Sequence, residues 1–213
     1  GFSALYESNP QEISAENIAK VKIAVSGGNF TAINNGTMAI YSQDKDNFIT
    51  GGTFSDVSAL RYLAKEGNLD VNININNANS EFEAAGISIP EANNSKRNIT
   101  IDLNGSNWIG TNSLTGSTGT QNQVLQLLKG NNVTIKNGTI SIKEGQTNPN
   151  ASRFIIQNYS NLTLEDVTLD GTNLADNIAY TLSNNCGKVL LKGNTNIYAK
   201  DGQRAIDACW APK

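Results

Sequence analysis

The sequence has no histidine, one methionine, two cysteines and four prolines in 213 residues. Histidine is the usual general base near neutral pH and a frequent zinc ligand, so Ser-His or Cys-His nucleophilic catalysis and His-based zinc sites lack their key residue. Charge is scarce too: charged residues make up 16% and the net charge is −3, with an isoelectric point near 5.0. That balance supplies no basic footprint for nucleic acid or an anionic lipid surface. No apolar run approaches the roughly 20 residues that cross a bilayer as a helix. No charged-then-apolar leader opens the chain, which reads as processed or trimmed at Gly1. Neither a nucleic-acid partner nor membrane insertion is expected.

What is present is a patterned, neutral polarity. Apolar residues are 38% and mean hydropathy is −0.35, yet the polar share comes from Asn, Ser, Thr and Gly rather than from charge, unlike a disordered chain. The stretch Asn161–Gly171, NLTLEDVTLDG, alternates twice about a corner near Asp166. Leu162, Leu164, Val167 and Leu169 fall on one face, and Thr163, Glu165, Thr168 and Asp170 on the other, as in two half-buried strands. Near-copies begin at Asn98, Asn132 and Lys188, giving coils of 34, 29 and 27 residues. Such a period marks a solenoid of six or seven coils forming one domain over residues 1–213. The Asn residues at its corners (Asn131, Asn132, Asn158, Asn161, Asn184 and Asn185) suit left-handed turns and stacked ladders.

The first part of the chain carries a different repeat. Residues 1–12 show no period, and Ser14–Val21 opens with an N-cap serine and a short helical turn. Gly27-Gly28-x-Phe30 then recurs 24 residues later as Gly51-Gly52-x-Phe54, with glycine corners and an inward Phe plug. Ser58–Gly67, SALRYLAKEG, reads as the one convincing helix, suited to sealing a solenoid end. Asn68–Asn79 is a clean strand. Asn77–Lys96 reads as a polar loop with a short strand at Ile87–Ile89, and 68–213 as the main solenoid. The insertions Thr111–Asn122 and Lys143–Ser152 are expected to project on one side, where repeat proteins often bind.

Together NITIDLNG, NNVTIKNGTI, NLTLEDVTLDG and the paired GGNFTA and FITGGTFSDVSALRYLAKEG resemble the pectate-lyase-like parallel β-helix modules of surface proteins from Gram-positive and gut bacteria. The resemblance covers most of 21–210. It implies an all-β, right-handed parallel β-helix (solenoid) with one short helix near an end, located outside the cell or on its surface. In such modules the GGTF element usually closes the solenoid, whereas here it comes first. A permuted order, or a cut across a tandem array, would place 1–67 beside the coil that ends at Trp210.

Candidate chemistry is thin. Asp166 with Asp170, or Glu165 with Asp207, are the carboxylate pairs that could serve glycoside hydrolysis, but strand alternation puts such acids outward as plain surface. The four arginines, Arg61, Arg97, Arg153 and Arg204, follow no acidic cluster of the lyase type. The best calcium candidate is Asp44-x-Asp46, which lacks EF-hand spacing, so a plain acidic turn is preferred; no metal site or cofactor is expected. Trp108, Tyr159, Tyr180, Tyr198 and Trp210 are the aromatics on which a sugar ring could stack, with Trp108 at a core position and Tyr159 and Trp210 nearer corners. The weak ligand set is therefore Tyr159, Trp210, Asp166 and Asp170. Cys186 and Cys209 lie 23 residues apart, about one coil, within disulfide reach across neighbouring rungs or else as two buried thiols. The expected function is a non-catalytic, adhesin-like surface module that binds polysaccharide or a host protein; the alternatives are a divergent polysaccharide lyase or glycosidase, and a structural spacer or phage-fibre part.

Overall fold

The computed structural model describes residues 3–8, 14–18, 23–33, 38–43, 48–92, 95–111, 115–116, 122–146, 152–174 and 180–210. They form a parallel β-solenoid of about six turns. Its strands are β1 (Leu5–Glu7), β2 (Val25–Phe30), β3 (Ile40–Ser42), β4 (Ile49–Phe54), β5 (Leu69–Asn74), β6 (Glu81–Ala85), β7 (Ile87–Ile89), β8 (Arg97–Asp102) and β9 (Asn107–Thr111). They continue with β10 (Gln123–Leu127), β11 (Asn131–Ile142), β12 (Phe154–Asn158), β13 (Asn161–Gly171), β14 (Tyr180–Asn185), β15 (Lys188–Lys192), β16 (Asn196–Ala199) and β17 (Arg204–Cys209). One sheet runs β15-β13-β11-β8-β5-β4-β2, with β6, β9 and β16 joined to the far halves of β11 and β13; a second runs β17-β14-β12-β10-β7, and β1 pairs β3.

The register is the one the repeat predicts. Asn98, Asn132, Asn161 and Lys188 stand in one row, and each pair of neighbouring strands is parallel. Inward residues therefore form columns. Ile73, Ile101, Ile135, Leu164 and Leu191 make one; Phe82, Trp108, Ile140, Leu169 and Ile197 a second; Ile87, Leu125, Ile156, Leu182 and Ile206 a third. Each aliphatic side chain buried this way contributes about 1.5–3 kcal/mol, against a backbone ordering cost of about 1–2 kcal/mol per residue. A single coil cannot cover that cost alone, so rungs are stable by stacking. The rung of β15, β16 and β17 lacks a further neighbour among the described residues, and there Leu191 and Ile206, inward in register, are 44% and 45% exposed.

The corner that bends β11 and β13 comes from left-handed residues. Asn104, Asn137, Asp166 and Gly193 have φ of 51°, 57°, 55° and 57°, a region Asn, Asp and Gly tolerate better than other residues. At Gly193 glycine is also required by space, because a Cβ would run into the Asp166 carboxylate. The GGxF repeat stacks as expected: Phe30 pairs with Phe54, rings 5.2 Å apart and 11° from parallel. Ser14 accepts from the Asn17 N–H at 3.2 Å and starts α1 (Ala15–Ile18). No helix among the described residues is long and apolar enough to cross a membrane.

Three expectations are corrected. The helix over Ser58–Gly67 is a 3₁₀ turn, Val57–Tyr62, capped by Asp56. It does not continue because the Phe48 N–H donates to the Tyr62 carbonyl and the Ala64 N–H to the Ile49 carbonyl, so this stretch is held by pairing with the start of β4. It fills one side of a coil and buries Val57, Ala59 and Leu60, rather than sealing an end. Secondly, the loop over Asn77–Lys96 contains β6, whose Phe82 and Ala84 pack on the core. Thirdly, the sheet order sets β2 and β15 at opposite ends, so the described strands β2 and β4 of 1–67 do not pack beside the coil that ends at Trp210. Asp44 and Asp46, most of Thr111–Asn122 and half of Lys143–Ser152 lie outside the described residues.

Candidate binding groove

The 3₁₀ turn packs near β7 and leaves an open groove of about 600 Å³ along β6, floored by Glu81–Ala85 and walled by Ser55–Ser58, Arg61, Asn76, Asn77, Ala32 and Met38. Its acids are mostly committed. Asp56 accepts from the Ser58 N–H through Oδ1 at 2.8 Å and from the Ala39 N–H through Oδ2 at 2.6 Å, so it caps the turn and holds the approach to β3. Glu83 accepts from Lys143 Nζ at 2.7 and 2.9 Å. Glu81 is exposed at the groove. Arg61 donates through Nη2 to the Ala85 carbonyl at 2.8 Å and through Nη1 to the Gly86 carbonyl at 3.2 Å. Burial of that guanidinium pulls its pKa below the ordinary arginine value, with Tyr62 acting the other way; the residue as a whole is solvent-exposed, so the guanidinium stays charged. Phe82 is half-buried and stacks on Trp108 at 6.3 Å. The groove thus offers a cation, a carboxylate, amides and an aromatic face, a mixture that orients ligands.

The residues singled out in the sequence lie elsewhere. Asp166 accepts from the Asn194 N–H at 2.8 Å and so holds the corner of the next rung. Asp170 accepts from the N–H and hydroxyl of Thr172 at 3.0 and 2.7 Å, a local turn. Glu165 faces Lys192 at 3.8 Å, and Asp207 belongs to the other sheet. Tyr159, Cys186 and Cys209 do come together. Burial raises the Tyr159 hydroxyl above its usual range, a bond with the Asn185 side chain opposes this, and the two thiols add to it. The Cys186 N–H donates to the Cys209 carbonyl at 3.0 Å, the Cys209 thiol donates to Asn185 Oδ1 at 2.7 Å, and no disulfide joins the two sulfurs. Trp210 beside them is 84% exposed and Trp108 is fully buried. Arg204 lies over the Tyr180 ring at 6.0 Å.

Most corner asparagines have structural partners. Asn158 donates to Asn184 Oδ1 at 2.8 Å and accepts from the Ser160 N–H at 3.0 Å, and Asn131 donates to the Pro90 and Leu128 carbonyls at 2.9 and 2.8 Å. Asn98, Asn132 and Asn161 form an exposed amide ladder with spacings of 3.2 and 2.9 Å. The groove itself went unread in the sequence, although EFEA carries the alternation that marks β6. Comparison with protein-family models, with curated proteins and with solved structures finds no match to this chain.

Proposed function

We propose that this chain is a non-catalytic binding module of a bacterial surface protein, exposed outside the cell, that holds a partner macromolecule in the groove along β6. The surface location rests on the resemblance of NLTLEDVTLDG and the paired GGxF elements to pectate-lyase-like surface modules. The observation that carries the non-catalytic reading is how the groove spends its carboxylates. Glycoside hydrolysis needs two working carboxyl groups across a cleft, about 5–9.5 Å apart. Of the three carboxylates that the described residues place at this groove, Asp56 is held by two backbone N–H groups and Glu83 by Lys143, which leaves Glu81 among them. An activity screen against uronate and neutral polysaccharides, run beside glycan and peptide arrays, tests the reading. The expected result is binding without turnover; cleavage of any polymer that disappears in Glu81→Gln overturns it.

A further inference from the structure

The groove runs beside a strand that is paired on one edge. Among the described residues β6 pairs with β9 and with no other strand. The Asn107 N–H donates to the Ser80 carbonyl at 2.8 Å, and this fixes the phase of the ladder. In a parallel pair alternate residues address alternate neighbours, so Phe82 and Ala84 turn their backbone groups to β9. Those of Glu81 and Glu83 turn to the groove. Arg61 closes the slot at one end by bonding the Ala85 and Gly86 carbonyls. Phe82 has Trp108 stacked on one side and lines the groove with the rest of its ring, so the apolar column that runs through Trp108, Ile140 and Leu169 has an empty place beyond it.

We propose that the groove takes an extended, basic polypeptide segment as an added parallel strand on β6, an assignment that rests on reading the chain as a non-catalytic binding module. Four residues at about 3.3 Å each match Glu81–Ala84, and the slot of about 600 Å³ lies in the size range of small-ligand sites. Charge selects the occupant. One outward row in this protein alternates sign from rung to rung, through Asp102, Lys136, Glu165 and Lys192, with Lys136 and Asp102 at 3.2 Å and Lys192 and Glu165 at 3.8 Å. A strand added to β6 sets one outward side chain opposite Glu81, where Lys or Arg is attracted and an acid is repelled, and a second opposite Glu83, whose carboxylate it would share with Lys143. A second copy pairing β6 on β6 would oppose Glu to Glu and is disfavoured for the same reason. Inward, an aliphatic residue in register with Phe82 fills the vacant place in its column.

The probe is the peptide acetyl-Thr-Lys-Ile-Lys-Val-Thr-amide, titrated to millimolar concentration into the ¹⁵N-labelled chain. Its two lysines align with Glu81 and Glu83, and the N–H groups of its Ile and Val donate to the Glu81 and Glu83 carbonyls. The expected result is saturable shifts of the Glu81 and Glu83 amides. Affinity falls about tenfold or more, one factor of ten being 1.4 kcal/mol, when Ile and Val are N-methylated, and again when both lysines become glutamates. Glu81→Lys, at an exposed position, weakens the basic peptide and strengthens the acidic one. No shift in Glu81–Ala85, equal binding of the N-methylated peptide, or a polysaccharide that moves the same amides while the peptide does not, overturns the strand-addition assignment and leaves the binding-module reading standing. Polymer cleavage overturns that reading itself, so the two failures are distinguishable.

Discussion

Replacing Asp166 separates a corner from a catalytic acid. The residue sits at φ 55° and its carboxylate accepts from the Asn194 N–H at 2.8 Å. Alanine loses both adaptations. Holding it in the left-handed region costs about 1–2 kcal/mol, and the lost hydrogen bond about 1 kcal/mol, so Asp166→Ala is expected to destabilise by about 2–3 kcal/mol. For a chain of this length that corresponds to a drop of roughly 5–10 °C in Tm. Asparagine keeps the tolerated conformation and an acceptor oxygen, so Asp166→Asn should stay within about 0.5 kcal/mol of the parent. Glycine keeps only the conformation and should fall between. Calorimetry gives the order, and hydrogen exchange at the Asn194 amide reports the same corner locally, which is useful because stacked coils need not unfold in one step. If alanine matches asparagine, the corner argument fails. If Asp166→Asn keeps its Tm but abolishes cleavage of a uronate polymer, Asp166 is a catalytic acid after all.

Three further outcomes follow from other parts of the stack. Mild oxidation should join Cys186 to Cys209, since their residues meet on adjacent rungs, and closing a loop of this length should add about 3 kcal/mol. Burial, the Asp207 carboxylate and Cys186 all push the Cys209 thiol up, so bridging should accelerate above the usual thiol range; two thiols still open to alkylation after oxidation at alkaline pH would refute it. Burial raises the Asp102 carboxyl, but the Asn104 N–H, the Asn137 amide and Lys136 outweigh this and leave its pKa lowered. A lowered folded-state value gives stability that is full above about pH 4 and is lost as pH falls through the folded pKa, so Asp102→Asn should flatten urea midpoints measured from neutral to acidic pH; an unchanged acid slope contradicts the account. Arg97 is fully buried, with Nε and Nη2 unpartnered among the described residues, and burial lowers its pKa. Among the described residues its Nη1 reaches the Lys65 and Glu91 carbonyls, at 3.3 and 3.5 Å. Arg97→Met is therefore expected to be neutral or stabilising, by about 1 kcal/mol or more, and a marked loss in urea titration would show that those two carbonyl bonds carry more than their lengths suggest.

The repeat was legible because each rung repeats one side-chain alternation. Asn98, Asn132, Asn161 and Lys188 could be aligned by eye and are aligned in register. The corner at Asp166 followed from the same pattern. Ser58–Gly67 misled because its apolar spacing fits an α-helix, while backbone pairing with Phe48 and Ile49, a contact between segments, set its conformation. β6 was obscured by the Asn-rich runs on either side of it. The groove was illegible for a stronger reason: it exists because the neighbouring coil spends its residues on a 3₁₀ turn instead of a strand, and a missing partner leaves no mark in the strand that lacks it. Asp166 and Asp170 drew attention as acids close in sequence, yet each is consumed by the turn it makes.

Among the described residues the rung of β15, β16 and β17 has a single neighbouring rung, like a boundary site of a one-dimensional lattice. An interior rung is held by two interfaces and this one by a single interface, so opening it forfeits one neighbour term where any interior rung forfeits two. With no further rung stacked on it, this rung should open before the interior rungs next to it, and opening should then advance as a front through β14 and β13 toward β11. The half-covered Leu191 and Ile206 are the first contacts that front would release.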